Sequence, residues 1–150
     1  VFLWGAVVMD LYARNIVGWS MGHRITDDLT LDALTMAYWR RKPSNQVWLH
    51  SDQGAQYTSR RFRKLLATLN IEPSMSRRGN CWDNAVAESF FSNLKKEKIR
   101  RSIFKSREEA RHTIFHYIEM FYNPKRRHTS NDRTSPNEYE RQYFQNLKSV

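Results

Sequence analysis

The chain has 150 residues, 40% of them hydrophobic and 13% aromatic, enough for one domain with a real core and too apolar for a disordered segment. Lys and Arg number 25 against 15 Asp and Glu, so the net charge is +10; that balance favours an acidic partner, nucleic acid first and a membrane surface second. No apolar run approaches the roughly 20 residues of a membrane span, no signal peptide is visible, and a single cysteine, Cys81, excludes an internal disulfide and fits a reducing, cytoplasmic setting.

Val1 already lies inside an apolar stretch, and the domain is expected to begin further upstream. FLWGAVVMD (2–10) reads as a buried strand rich in Val and aromatic residues. LYARN is a turn and IVGWSM (16–21) a second strand, so the two can form a hairpin. Residues 30–40 carry Leu31, Leu34 and Tyr38 at helical spacing, with Thr30 as candidate cap and Pro43 as terminator. QVWLH (46–50) reads as a short buried strand. Residues 59–69 place Phe62, Leu65, Leu66 and Leu69 on one helical face and Arg60, Arg61, Arg63 and Lys64 largely on the other. IEPSM (71–75) is a short strand that Pro73 restricts to an edge. A polar loop, SRRGNCWDN (76–84), precedes a long helix, AVAESFFSNLKKEKIRR. Ser106 and Glu109 form a capping-box signature for a further helix, whose core stripe is Ala110, Ile114, Ile118 and Phe121 and which Tyr122-Asn123-Pro124 ends. The tail is polar and basic. Strands and helices in this order predict an α/β sheet covered by helices.

Two carboxylates stand out. Asp52, in HSDQGAQY, sits just past a strand, where ligands gather in α/β sheets, and Gly54 lets the backbone turn beside it. Glu88 lies on the long helix, where Glu88, Ser92 and Lys95 share one face beside the apolar Ala87, Phe90, Phe91 and Leu94. Mg²⁺ is often held by one or two carboxylates plus substrate phosphates, and two such ions can activate an attacking oxygen and stabilise a leaving one. Taken singly, an Asp after a strand is more often a turn residue, and a Glu seven before a Lys more often part of a solvated face.

From Val7 to about Glu140 the chain resembles insertion-sequence transposases of the third insertion-sequence family, relatives of retroviral integrases. The resemblance lies in AVVMDLYARNIVGWSM, HSDQGAQYTS, SMSRRGNCWDNAVAESFFSNLKKE and YNPKRRH…SPNEYE, in the family's order. It implies a ribonuclease-H-like integrase core, a central mixed sheet with helices on both faces. The family's signature is two Asp and one Glu with 35 residues between the second Asp and the Glu, and here 35 residues separate Asp52 from Glu88. Asp52 therefore resembles the second catalytic Asp, Glu88 the catalytic Glu, and Lys95 the basic residue that contacts DNA, with Mg²⁺ or Mn²⁺ as the implied cofactor. The family's first Asp lies in a W-x-x-D stretch on a strand preceding the one that FLWGAVVMD resembles. Asp10 resembles a different position and is expected in a turn. The first strand and its Asp are thus expected to be missing, leaving a truncated transposase that is marginally folded and inactive or nearly so, since a misplacement of about 1 Å can cost on the order of 100-fold in rate.

Three basic clusters, at 60–64, 95–101 and 125–127, read singly as solvated faces and together as phosphate contacts. Arg77 and Arg78 border the active site by resemblance and, with Lys95 and Lys98, are candidate DNA contacts. Trp82 is expected to plug the core, and Cys81 with His50 lacks the ligand count of a zinc finger. Tyr122, Asn123, Arg127 and His128 resemble the family's carboxyl-terminal motif, with structural roles expected. The domain division is an integrase-type core at 1–122 and a basic extension at 123–150. The resemblance implies descent from polynucleotidyl transferases that cleave DNA and join strands, an expected bacterial, cytoplasmic and nucleoid-associated setting, insertion-sequence ends and target DNA as expected partners, and a homo-oligomer in the intact protein. The alternatives are a DNA-binding remnant without chemistry and a ribonuclease-H-type nuclease.

Overall fold

A computed structural model describes residues 3–51, 55–75 and 85–148. Strand β1 (Trp4–Met9) pairs with β2 (Ile16–Gly22); helix α1 (Asp27–Arg41) follows, then β3 (Val47–Ser51), the short α2 (Ala55–Thr58), α3 (Arg60–Thr68) and β4 (Ile71–Met75). Helix α4 (Ala85–Glu97) runs into a 3₁₀ turn at Ile99–Arg101. Helix α5 (Arg107–His116) continues as a π turn at Tyr117–Tyr122, and α6 (Pro136–Lys148) follows. The α/β class expected from the element order is the class observed.

Two compact units emerge, one of residues 3–8 and Val17–Phe91, the other of Met9–Ile16 and residues 92–148. In the first, Leu34 of α1, Phe62 and Leu66 of α3 and Ile71 of β4 form a buried cluster, joined by Leu31, Tyr38, Leu65 and Leu69. These are the apolar faces that the 3.6-residue spacing marked out. A second cluster sets Ala6 of β1 against Leu29 and Ala33 of α1. Helix α1 lies directly on β2: a Cβ added at Gly18 would meet the Ala33 carbonyl oxygen at 2.1 Å and the Ala37 Cβ at 2.9 Å.

In the second unit three asparagines grip the turn between β1 and β2. The Asn123 amide donates to the Ile16 carbonyl and accepts from the Ile16 N–H, each at 2.9 Å. Asn131, fully buried, donates to the Ala13 carbonyl at 2.7 Å. Asn15 donates to Asn137 Oδ1 at 2.9 Å and to Glu140 Oε2 at 3.0 Å on α6. The Tyr12 ring lies 5.0 Å from each of the rings of Tyr139 and Tyr143.

Several expectations need correction. Helix α1 starts at Asp27, so Thr30 is a buried residue of its first turn, donating to the Asp27 carbonyl at 2.9 Å, rather than its cap. Two acids at the start and Arg40 and Arg41 at the end suit the helix dipole, which lets the helix begin earlier than its apolar stripe. Strand β3 forms but is not buried: Val47 is 39% exposed and Trp48 68%. Among the described residues it pairs only with β4, in parallel, and the strands make two sheets of two. The long fourth helix stops at Glu97. The stripe from Ala110 drifts, because a π turn holds more residues per turn than an α-helix; Tyr117, Ile118 and Tyr122 are buried, and Phe121 is 39% exposed. Helix α6 lies in the tail that the sequence reading left without structure.

Candidate catalytic and nucleic-acid-binding site

The candidate residues lie on α4 and in the segments that follow β3 and β4 in the chain. Helix α4 is anchored by Phe90 and Leu94, 1% and 5% exposed. That orientation leaves Glu88, Ser92 and Lys95 exposed on a common face, as their spacing required. Glu88 is in the first turn, where the dipole favours an acid, and Lys95 and Lys96 are in the last, where it favours cations. No hydrogen bond or ion pair to another described residue engages the Glu88 carboxylate, which leaves its oxygens available to a cation.

Asp52, Arg77 and Arg78 lie outside the described residues, as do Cys81 and Trp82. What leads to them is described. Strands β3 and β4 are parallel with Ser51 opposite Met75, so the chain leaves both strands at one edge of the pair. Ser51 and Met75, the residues that precede the segments with Asp52 and with the two arginines, are thus neighbours at the carboxyl end of a parallel pair, where ligands gather in α/β sheets. Among the described residues no group of three or more His, Cys, Asp or Glu side chains could hold a metal ion. The carboxylate donors Asp52 and Glu88 suit a hard, oxygen-seeking divalent cation by their chemistry. His50 is exposed, its Nδ1 3.3 Å from the Ser74 Oγ.

Asp10 is a turn residue, as expected. Its carboxylate accepts from the Ala13 N–H at 3.1 Å, and its carbonyl from the Arg14 N–H at 2.8 Å. The basic clusters divide. Lys95, Lys96, Lys98, Arg100 and Arg101 are all exposed. Arg61 pairs with Asp28 at 2.8 Å, with both side chains well exposed, a contact worth little in water. Arg126 departs from the solvated cation expected at 125–127: it is half-buried and bonded to Glu97 through Nε at 2.9 and 3.2 Å and through Nη2 at 2.8 Å.

Glu97 escaped the sequence reading. Burial pushes its carboxyl up, but hydrogen bonds from Arg126 and from the Tyr117 hydroxyl, at 2.7 Å, outweigh that and hold it below the usual carboxylate range. Burial, then the bond to Glu97, raises the Tyr117 phenol well above its ordinary value. The signal was present in the chain: one acid within the basic run LKKEKIRR, at a helix end where the dipole disfavours it, needs a cationic partner elsewhere. Which cation it is depends on tertiary contact.

No helix among the described residues is long and apolar enough to cross a membrane. Residues 2–81 match an integrase core domain family, and residues 69–136 match a second family of the same description. The chain is 48% identical over 139 residues to the transposase InsF for insertion sequence IS3A of Escherichia coli (strain K12), covering 93% of this chain and 48% of that protein. It is 44% identical over 139 residues to the transposase for insertion sequence element IS904 of Lactococcus lactis subsp. lactis (strain IL1403), covering 93% and 55%. The chain thus spans about half the length of the curated relatives it matches. A chain of the simian T-cell lymphotropic virus intasome, solved in complex with PP2A regulatory subunit B56 gamma, shares the fold with a TM-score of 0.53 at 14% identity, over 80% of this chain and 49% of that one.

Proposed function

Because this chain belongs to the integrase core domain family, we propose that it is the catalytic portion of a DNA transposase, which cleaves DNA and joins strands. The observation that carries the reading is the α4 face on which Glu88 and Lys95 are both exposed, with no described partner for the carboxylate. The relatives it resembles are named as transposases over nearly all of this chain's length.

Asp52 and Glu88 hold one or two Mg²⁺ or Mn²⁺ ions in this reading. The bound cation supplies activation of the attacking oxygen and charge stabilisation of the leaving one. The chain's own part is placement. Asp52 directly follows the last residue of β3 in the sequence, and Glu88 stands two turns before Lys95 on α4, about 10 Å along the axis. Lys95 meets a phosphate near the joined end, with Arg77, Arg78 and Lys98 as further phosphate contacts. The partners are insertion-sequence ends and target DNA, the working form is a homo-oligomer, and the setting is the bacterial cytoplasm and nucleoid.

Mn²⁺ binding is the direct test, since the chain by itself is expected to join a pre-cut DNA end weakly or not at all. Asp52→Asn and Glu88→Gln are each expected to weaken Mn²⁺ binding and to remove any residual joining, while duplex affinity stays within about twofold because few phosphate contacts are lost. Mn²⁺ binding that survives both substitutions overturns the metal assignment.

A further inference from the structure

Helix α4 ends inside a cationic stretch. Lys95 and Lys96 are in its last turn, and Glu97 is its final residue. Last turns fray readily, and the helix dipole disfavours an acid at this end. Glu97 is nevertheless held by hydrogen bonds from two residues far away in the chain. Arg126 donates to both of its oxygens, and the Tyr117 hydroxyl donates to one of them. The two charged side chains are only 21% and 33% exposed, for Arg126 and Glu97 respectively. Tyr117 is 1% exposed, its ring packed 6.0 Å from that of Tyr122. The end of α4 is therefore tied at one carboxylate to two separate elements of its unit, the π turn and the segment after Pro124. Lys95 and Lys98, on either side, remain exposed.

We propose that Glu97 is a positioning residue: with Arg126 and Tyr117 it fixes the last turn of α4 so that Lys95 is held at one place for a DNA phosphate. The proposal rests on the reading of Lys95 as a DNA contact. Its force lies in a sign. Glu97→Gln removes a negative charge from a basic surface, and on charge alone that strengthens binding to a polyanion. A carboxylate that positions Lys95 gives the opposite result, because the loosened turn spreads Lys95 over many places.

The experiment is duplex DNA binding by the full 150-residue chain over a salt series, for the unmodified protein, Lys95→Ala, Glu97→Gln and the double variant. Lys95→Ala is expected to weaken binding and reduce the salt slope by about one. Glu97→Gln is expected to weaken binding roughly three- to tenfold, and to have no further effect in the Lys95→Ala background, because residues that act through each other are not additive. Tyr117→Phe, which keeps the ring and removes one donor, is expected to give a smaller loss with the same dependence on Lys95, and it serves if Glu97→Gln fails to fold. Unchanged or tighter binding by Glu97→Gln overturns the proposal. So does an equal loss in both backgrounds, the signature of a merely structural residue. A Lys95→Ala variant that binds normally overturns it together with the Lys95 assignment, whereas normal sensitivity to Lys95→Ala with additive Glu97→Gln overturns the positioning role alone.

Discussion

Asn123 does with one side chain what a neighbouring strand would do with its backbone. It satisfies both the N–H and the carbonyl of Ile16, a residue only 1% exposed. Asn123→Ala leaves two buried backbone groups without partners, at about 1–3 kcal/mol for each unsatisfied group. Urea denaturation should show a loss of unfolding free energy of that order, with DNA affinity per folded molecule unchanged. His128 reports on the same unit. Burial first, then the nearby Arg126 and Arg14, lower its pKa from 6.5 to about 4. The unfolded chain therefore takes up a proton below about pH 6.5 that the folded chain refuses until about pH 4. The stability that neutral His128 contributes is present in full above pH 6.5 and is lost as pH falls through that window. Urea midpoints between pH 4 and 7 should fall less steeply with acid in His128→Gln than in the parent. At this scale the face shared by Glu88, Ser92 and Lys95 was legible, because helical spacing alone fixes it. Glu97 with Arg126 was not, because 29 residues of chain separate two side chains that only tertiary packing brings together.

The contact of α1 with β2 depends on a missing side chain. Gly18→Ala places a Cβ 2.1 Å from the Ala33 carbonyl, and the obstacle is backbone, so the helix must move rather than a rotamer adjust. The cost is expected at about 1–3 kcal/mol, as for other overpacked sites; calorimetry or urea denaturation reads it directly, and a neutral result means that α1 stands off from β2. The apolar faces of α1 and α3 were legible because a stripe at helical spacing needs only a core to face. The π turn was not, since one widened turn rotates the stripe without marking the sequence. Nor was the exposure of β3: Val, Trp and Leu describe a strand that wants cover, and the described residues give its outer face none. A two-stranded sheet is marginal by itself in water. Amides of β3 are accordingly expected to exchange with solvent deuterium faster than those of β2, which lies under α1.

Across the whole molecule the charge is unevenly placed. The unit formed by Met9–Ile16 and the residues from Ser92 onward holds 15 Lys and Arg against 8 Asp and Glu. Non-specific duplex binding should therefore fall steeply with salt, and removing exposed cations at Lys95, Lys98 and Arg100 together should flatten that dependence by about three counterions. Composition alone favours a polyanion partner, but which of the 25 cations stand exposed required the fold, since Arg126 is committed to a carboxylate.

The grip of the asparagines on the turn between β1 and β2 has a consequence for how the chain is made. Asn123, Asn131, Asn137 and Glu140 reach back across 107 to 125 residues to Ile16, Ala13 and Asn15. On a ribosome adding about 5–20 residues each second, the turn emerges roughly 5–25 s before the side chains that fasten it. Its strands can pair in that interval, but the contacts that close the turn carry the loop-closure cost of nearly the whole chain. A turn made well before the residues that fasten it is thus among the last of these contacts to be secured.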